Sequence, residues 1–127
     1  MNFNMTQNEK ELLIKDICSR LPYGVWNKHK LKSCTFDGKS MIQAHHIKAI
    51  EKGQYDFYKP YLFPLSSMTE EQRKEYNSLR SIGVDECGDI TYFDTFESVD
   101  WCNKNHFDYR GLIPMGLAID ASGLNIY

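Results

Sequence analysis

The helix-start pattern Thr-x-x-Glu/Gln occurs twice, at Thr6-Gln7-Asn8-Glu9 and at Thr69-Glu70-Glu71-Gln72, and it limits how the rest of the chain can fold. In this pattern the threonine hydroxyl accepts from the backbone N–H three residues on. The Glu or Gln side chain reaches back to the threonine N–H, so the first turn of the helix is fixed from both sides. After the first box, Leu12, Leu13, Ile17 and Leu21 recur at helical spacing. Pro22-Tyr23-Gly24 then ends the run, because proline disfavours the α conformation before it and glycine accepts a left-handed exit. The spacing predicts a helix over residues 7–20. The second box predicts a helix over residues 70–81 with a thin apolar stripe of Met68, Tyr76 and Leu79, suited to a surface helix docked along one edge. Thr95 caps a third expected helix, running to residue 105, with Phe96, Val99 and Cys102 on its buried side and Trp101 at the margin.

Between these helices, residues 25–50 alternate apolar and polar side chains in short stretches broken by Asp37-Gly38, a dipeptide that favours a type I′ hairpin turn. Strands are expected over residues 25–36 and 39–49. A turn at Glu51-Lys52-Gly53 leads to a third extended segment over residues 55–62, which Pro60 confines to a sheet edge or a strand end. Residues 83–90 read as a Gly- and acid-rich loop and residues 91–93 as a short strand. Asp108 can cap one more turn, while Pro114 excludes a long helix across residues 112–117. The expected architecture is α+β, a small antiparallel sheet of three to four strands packed with two to three helices. A length of 127 residues suits a single domain, 1–127.

Apolar residues make up 42% and charged residues 25%, the balance of a chain that folds rather than stays disordered. No apolar run approaches the length of a membrane span. Residues Met1 to Asn8 lack the basic start and apolar core of a signal peptide, so a cytoplasmic location is expected. Cys18, Cys34, Cys87 and Cys102 are far apart and form no C-x-x-C pair, in keeping with reduced thiols. Residues 1–63 hold ten Lys/Arg against six Asp/Glu and residues 64–127 hold five against eleven. That split is either a chance distribution over one surface or a bipolar surface able to orient a partner.

No nucleotide-binding glycine loop, nucleophile elbow or H-E-x-x-H zinc motif is present. His45-His46, if on a strand, point to opposite faces and cannot share one metal. Cys87 lies among Asp85, Glu86 and Asp89, which disfavours a thiolate, while Cys18 and Cys102 fall within helices as packing residues. The acidic run Asp85, Glu86, Asp89, Asp94, Glu97 and Asp100 lacks calcium-loop spacing and reads as a solvated loop and helix start. No catalytic residue, metal ligand or cofactor site is assigned, and the chain reads as non-enzymatic.

The stretch Trp26-Asn27-Lys28-His29-Lys30-Leu31-Lys32 is more informative. On a strand, Trp26, Lys28, Lys30 and Lys32 share one face. A lysine row beside an aromatic ring suits single-stranded nucleic acid, which it would hold by phosphate neutralisation and base stacking. The same row also suits the charged outer face of a sheet, where lysines guard an edge.

Residues 59–71 (Lys59-Pro60-Tyr61-Leu62-Phe63-Pro64-Leu65-Ser66-Ser67-Met68-Thr69-Glu70-Glu71), Val99-Asp100-Trp101 and residues 105–113 (Asn105-His106-Phe107-Asp108-Tyr109-Arg110-Gly111-Leu112-Ile113) resemble a family of small proteins from gut Bacteroidota, their phages and integrative elements. The resemblance extends from Leu21 onward and is weakest between Val25 and Gln54. It implies traffic with mobile DNA and brings no assigned activity. The role expected first is a non-enzymatic accessory protein of phage or mobile-element origin acting through protein contacts. The alternative is a single-stranded nucleic-acid-binding module built on Trp26, Lys28, Lys30 and Lys32.

Overall fold

A computed structural model describes residues 5–127. Residues 1–4, part of the polar start behind the expected cytoplasmic location, lie outside them. The fold is α+β. Both capping boxes form: Thr6 starts α1 (Gln7–Arg20) and Thr69 starts α3 (Glu70–Leu79), each threonine accepting from the N3 backbone N–H. Thr95 does the same for α4 (Phe96–Lys104), with Ser98 returning the bond. No helix among the described residues is long and apolar enough to cross a membrane.

The sheet is larger than expected and mixed. Strands β1 (Trp26–Leu31), β2 (Gly38–Met41) and β3 (Tyr55–Pro64) pair antiparallel in the order β2-β1-β3. On its other side β3 pairs in parallel with β6 (Phe107–Asp108) and β7 (Ile119–Asp120). A separate hairpin joins β4 (Ser81–Val84) to β5 (Ile90–Phe93), so Gly83, Val84 and Ile90 of the expected acidic loop lie in strands.

Three expectations fail for identifiable reasons. Residues 44–51 form a helix, α2 (Ala44–Glu51), rather than the end of a strand, because the buried His46 and Ile50 lie one turn apart and Gly53 ends the turn at positive φ. Gly38 does not make a two-residue turn. It opens β2 opposite His29, where a Cβ would come within 2.6 Å of that ring, so the glycine allows a close approach. Strand β3 is central, not an edge, despite Pro60. Its parallel partners begin only at Tyr61, which leaves that flank of β3 unpaired at the proline.

Two apolar cores result. Leu13 and Ile17 of α1, Ile50 of α2, and Tyr58 and Leu62 of β3 close the first, together with Leu112 and Leu117 from the tail. Met68, Tyr76, Trp101, Cys102 and Phe107 form the second, with Trp101 stacked on both Tyr76 and Phe107. In α4 the expected roles are exchanged: Trp101 is buried and Phe96 is 85% exposed. Cys18 is also exposed, and among the four thiols only Cys102 is buried.

A buried ion pair joins the two cores. Arg20, with no solvent exposure, donates through Nε and Nη2 to the Asp16 carboxylate at 2.8 and 3.1 Å. Nη2 also donates to the Phe107 carbonyl at 2.8 Å, and Nη1 reaches the Cys102 carbonyl at 3.5 Å. Arg110 approaches Asp16 from the tail, with Nε 3.1 Å from Oδ1. Asp108 then holds the following turn by accepting from the N–H groups of Leu112 and Ile113.

Removing the carboxylate strands two guanidinium groups, so Asp16→Ala should destabilise the protein by about 3–5 kcal/mol in urea unfolding. Phe96→Ala should stay within about 0.5 kcal/mol of the parent, as expected for an exposed ring. Equal losses in the two variants would contradict this division.

Candidate nucleic-acid interface

The register of the three antiparallel strands decides what shares a face. Asn27 pairs with Ser40 and Pro60, and Lys28 with Lys39 and Lys59. Because side chains alternate, Asn27, His29 and Tyr58 turn to the side of α1 and α2. Trp26, Lys28 and Lys30 turn to the opposite side with Lys39, Phe57, Lys59 and Tyr61. The outcome is a row of three lysines, Lys39–Lys28–Lys59, directly opposite one another across β2, β1 and β3. Like charges placed so oppose sheet formation.

The row sits beside an aromatic one. The Lys39 ammonium lies 5.1 Å from the centre of the Trp26 ring and 6.0 Å from that of Tyr61, close enough for cation–π attraction. The Tyr127 hydroxyl accepts from the Trp26 N–H and donates to the Tyr61 carbonyl, both at 2.9 Å, which fixes the two strands at this end. Trp26 and Phe57 remain half-buried, and Phe36, in the loop between β1 and β2, is 83% exposed.

Of the residues expected to form the site, Trp26, Lys28 and Lys30 share the face and Lys32 does not belong to the row. Strand β1 ends at Leu31, and Lys32 is exposed in the turn beyond it. The register slips between Lys30 and Leu31, which makes Asp56 an extra residue of β3. The slip brings the Asp56 carboxylate to 2.5 Å from the Lys30 ammonium. Lys28 has a looser carboxylate neighbour, Asp37, at 3.5 Å, and both side chains are partly exposed. Such exposed pairs are weak and can exchange for another anion. Lys39, Lys59 and Phe57 were not recognised in the sequence. The alternation Phe57, Lys59, Tyr61 was visible there, but its alignment with Trp26 and Lys28 depends on register.

The reverse side holds a histidine and tyrosine cluster. His45 and His46 lie on α2 rather than on a strand, with His46 buried and His45 exposed. His46 Nδ1 is 3.2 Å from the Gln43 N–H nitrogen and 3.1 Å from the Tyr58 hydroxyl, which assigns Nδ1 as the acceptor. The His29 ring stacks on Tyr58 at 5.6 Å. No group of three His, Cys, Asp or Glu side chains among the described residues is arranged to hold a metal ion.

No protein-family model, curated protein or solved structure matches the chain. The functional reading therefore rests on its own surfaces.

The histidines make stability pH-dependent. Burial lowers the pKa of His46, helped by the charges of His45 and His29, and burial alone lowers that of His29. Burial, together with nearby Arg20, pulls His106 down to about 4. In the unfolded chain these rings titrate near 6.5, so below that value it takes up protons that the folded protein refuses. The stability they contribute is complete at neutral pH and is lost as pH falls from about 6.5 toward 4. The urea midpoint should already be lower at about pH 5, where most carboxylates are still ionised. A midpoint constant between neutral pH and that point would contradict the assignment.

Proposed function

We propose that the protein is a non-enzymatic binding module whose open sheet face holds single-stranded nucleic acid. The observation that carries this reading is the lysine row across three strands. The three ammonium groups set positive charge along one line across the strands, so a chain of phosphates laid along it would meet all three. Lys39, Lys28 and Lys59 would neutralise phosphates, Lys30 would exchange Asp56 for another, and Trp26 and Phe57 offer ring faces to bases. Duplex DNA fits less well, because a flat sheet face with half-buried rings favours splayed, unstacked bases. The expected cytoplasmic location, and the mobile-DNA setting that the resemblance implies, agree with this ligand. The protein-contact role is favoured by a different surface, the hairpin of β4 and β5.

Fluorescence anisotropy with a short labelled oligothymidylate tests the proposal. Binding should weaken with salt along a log–log slope of about −3, from four contacts at about −0.7 each. The triple variant Lys28→Gln, Lys39→Gln, Lys59→Gln should flatten that slope, while Lys32→Gln should leave it nearly unchanged. Trp26→Ala should cost a further 1–3 kcal/mol or so of binding through lost stacking. Absence of binding at low salt, or an unaltered slope in the triple variant, would overturn the reading. Equal binding of polyglutamate would reduce the face to a general anion surface.

A further inference from the structure

Among the described residues, strands β4 and β5 pair only with each other, and a two-stranded ribbon is marginal in water on its own. The register places Ile82 opposite Tyr92 and Val84 opposite Ile90, so four apolar side chains share one face. Ile82, Val84 and Ile90 are each more than 60% exposed. On the other face the Phe93 ring lies over Gly83, where a Cβ would come within 2.7 Å, and stays half-exposed. Of the eleven large hydrophobic residues exposed among the described residues, six fall between Ile82 and Phe96. The apolar exposure is therefore concentrated on this hairpin and its exit, not scattered.

The base of the hairpin is clamped. The Arg80 guanidinium lies 4.8 and 5.4 Å from the centres of the Tyr76 and Tyr92 rings, with Nε 3.3 Å from Asp94 Oδ1. Tyr76 donates to Asp94 at 2.6 Å, and the Thr95 hydroxyl donates to the Leu79 carbonyl at 2.6 Å. A firmly anchored ribbon with bare apolar faces and unpaired strand edges is built to receive a further strand.

Charge identifies the occupant. The hairpin, residues 81–93, contains Asp85, Glu86 and Asp89 and no lysine or arginine, and the cation at its base, Arg80, is already paired with Asp94. A second copy presenting the same hairpin would bring two such acidic sets together, whereas a basic segment would be attracted. We propose that β4–β5 is a docking site for an extended, basic segment of a partner protein, which adds to the hairpin as a third strand. Added at the edge of β4, it sets its apolar side chains beside Ile82 and Val84 on the same face, and its lysines or arginines meet Asp85, Glu86 and Asp89. Main-chain bonding along the strand edge supplies affinity, and alternate side chains supply specificity.

The test uses the full chain and a synthetic peptide of alternating lysine and valine. Two control peptides carry glutamate in place of lysine, or proline in place of the central valine. The lysine–valine peptide should shift the amide NMR signals of residues 81–93. The control peptides, and the Ile82→Thr, Val84→Thr double variant with the parent peptide, should each bind about tenfold or more weakly. The double variant should melt like the parent and keep its oligonucleotide binding, which separates this surface from the sheet face. No binding, equal binding of the proline peptide, or shifts confined to other residues would overturn the proposal. Concentration-dependent dimerisation abolished by the double variant would also overturn it, assigning the hairpin to a second copy.

Discussion

Arg20 has no contact with solvent, so its N–H groups must find acceptors inside the protein, and that requirement fixes how the two cores meet. Asp16, one helical turn earlier, supplies two of the acceptors from α1 itself. The others are backbone carbonyls of Cys102, in the last turn of α4, and Phe107, in β6. A carbonyl near a helix C-terminus lacks an intrahelical donor and carries the negative end of the helix dipole, so a buried cation is well placed there. The cost of burying the charge is offset only while all of these partners stay in position. Arg110, reaching the same carboxylate from the segment after β6, ties the tail to the same point.

Strand β3 is the other organising element, because its neighbours differ on its two sides. Toward β1 it forms an antiparallel ladder, and toward β6 and β7 it forms short parallel pairs fed by α4 and the tail. Its two faces also diverge. Tyr58 and Leu62 enter the first core, while Phe57 and Lys59 lie on the side of Trp26 and Lys28. The basic face and the core are therefore opposite sides of the same few residues.

Where a local rule sufficed, the fold was legible in the sequence. Thr6, Thr69 and Thr95 mark their helices because a capping hydroxyl acts within one turn and needs nothing distant. Asp37-Gly38 misled, because a glycine answers several demands, and opposite His29 the demand is space rather than turn geometry. Residues 44–51 were misread because His46 and Ile50 suit either period over so short a span. Phe96 and Trp101 both fit the apolar stripe of α4, and only the position of Tyr76 and Phe107 selects the tryptophan. Of the candidate site, Trp26, Lys28 and Lys30 follow from simple alternation. Lys39 and Lys59 require the strand register, and Lys32 fails because the strand ends at Leu31.

The departures from good folding practice also have a pattern. Inside the protein most local rules agree: helices are capped, the Arg20 guanidinium is satisfied and aromatic rings stack, while Asn27 Oδ1, Asn103 Oδ1 and His106 Nδ1 are buried without a hydrogen-bond partner. The departures on the outside fall on two surfaces of opposite character, three lysines abreast on β2-β1-β3 and an exposed apolar ribbon among carboxylates at β4–β5. Natural sequences break such rules chiefly where function compensates for the cost. The first surface offers positive charge beside half-buried rings, and the second offers apolar area amid charge of the opposite sign. One ligand cannot satisfy both, so the two faces call for chemically different partners, and the clamp at Arg20 holds the units that carry them in one relation.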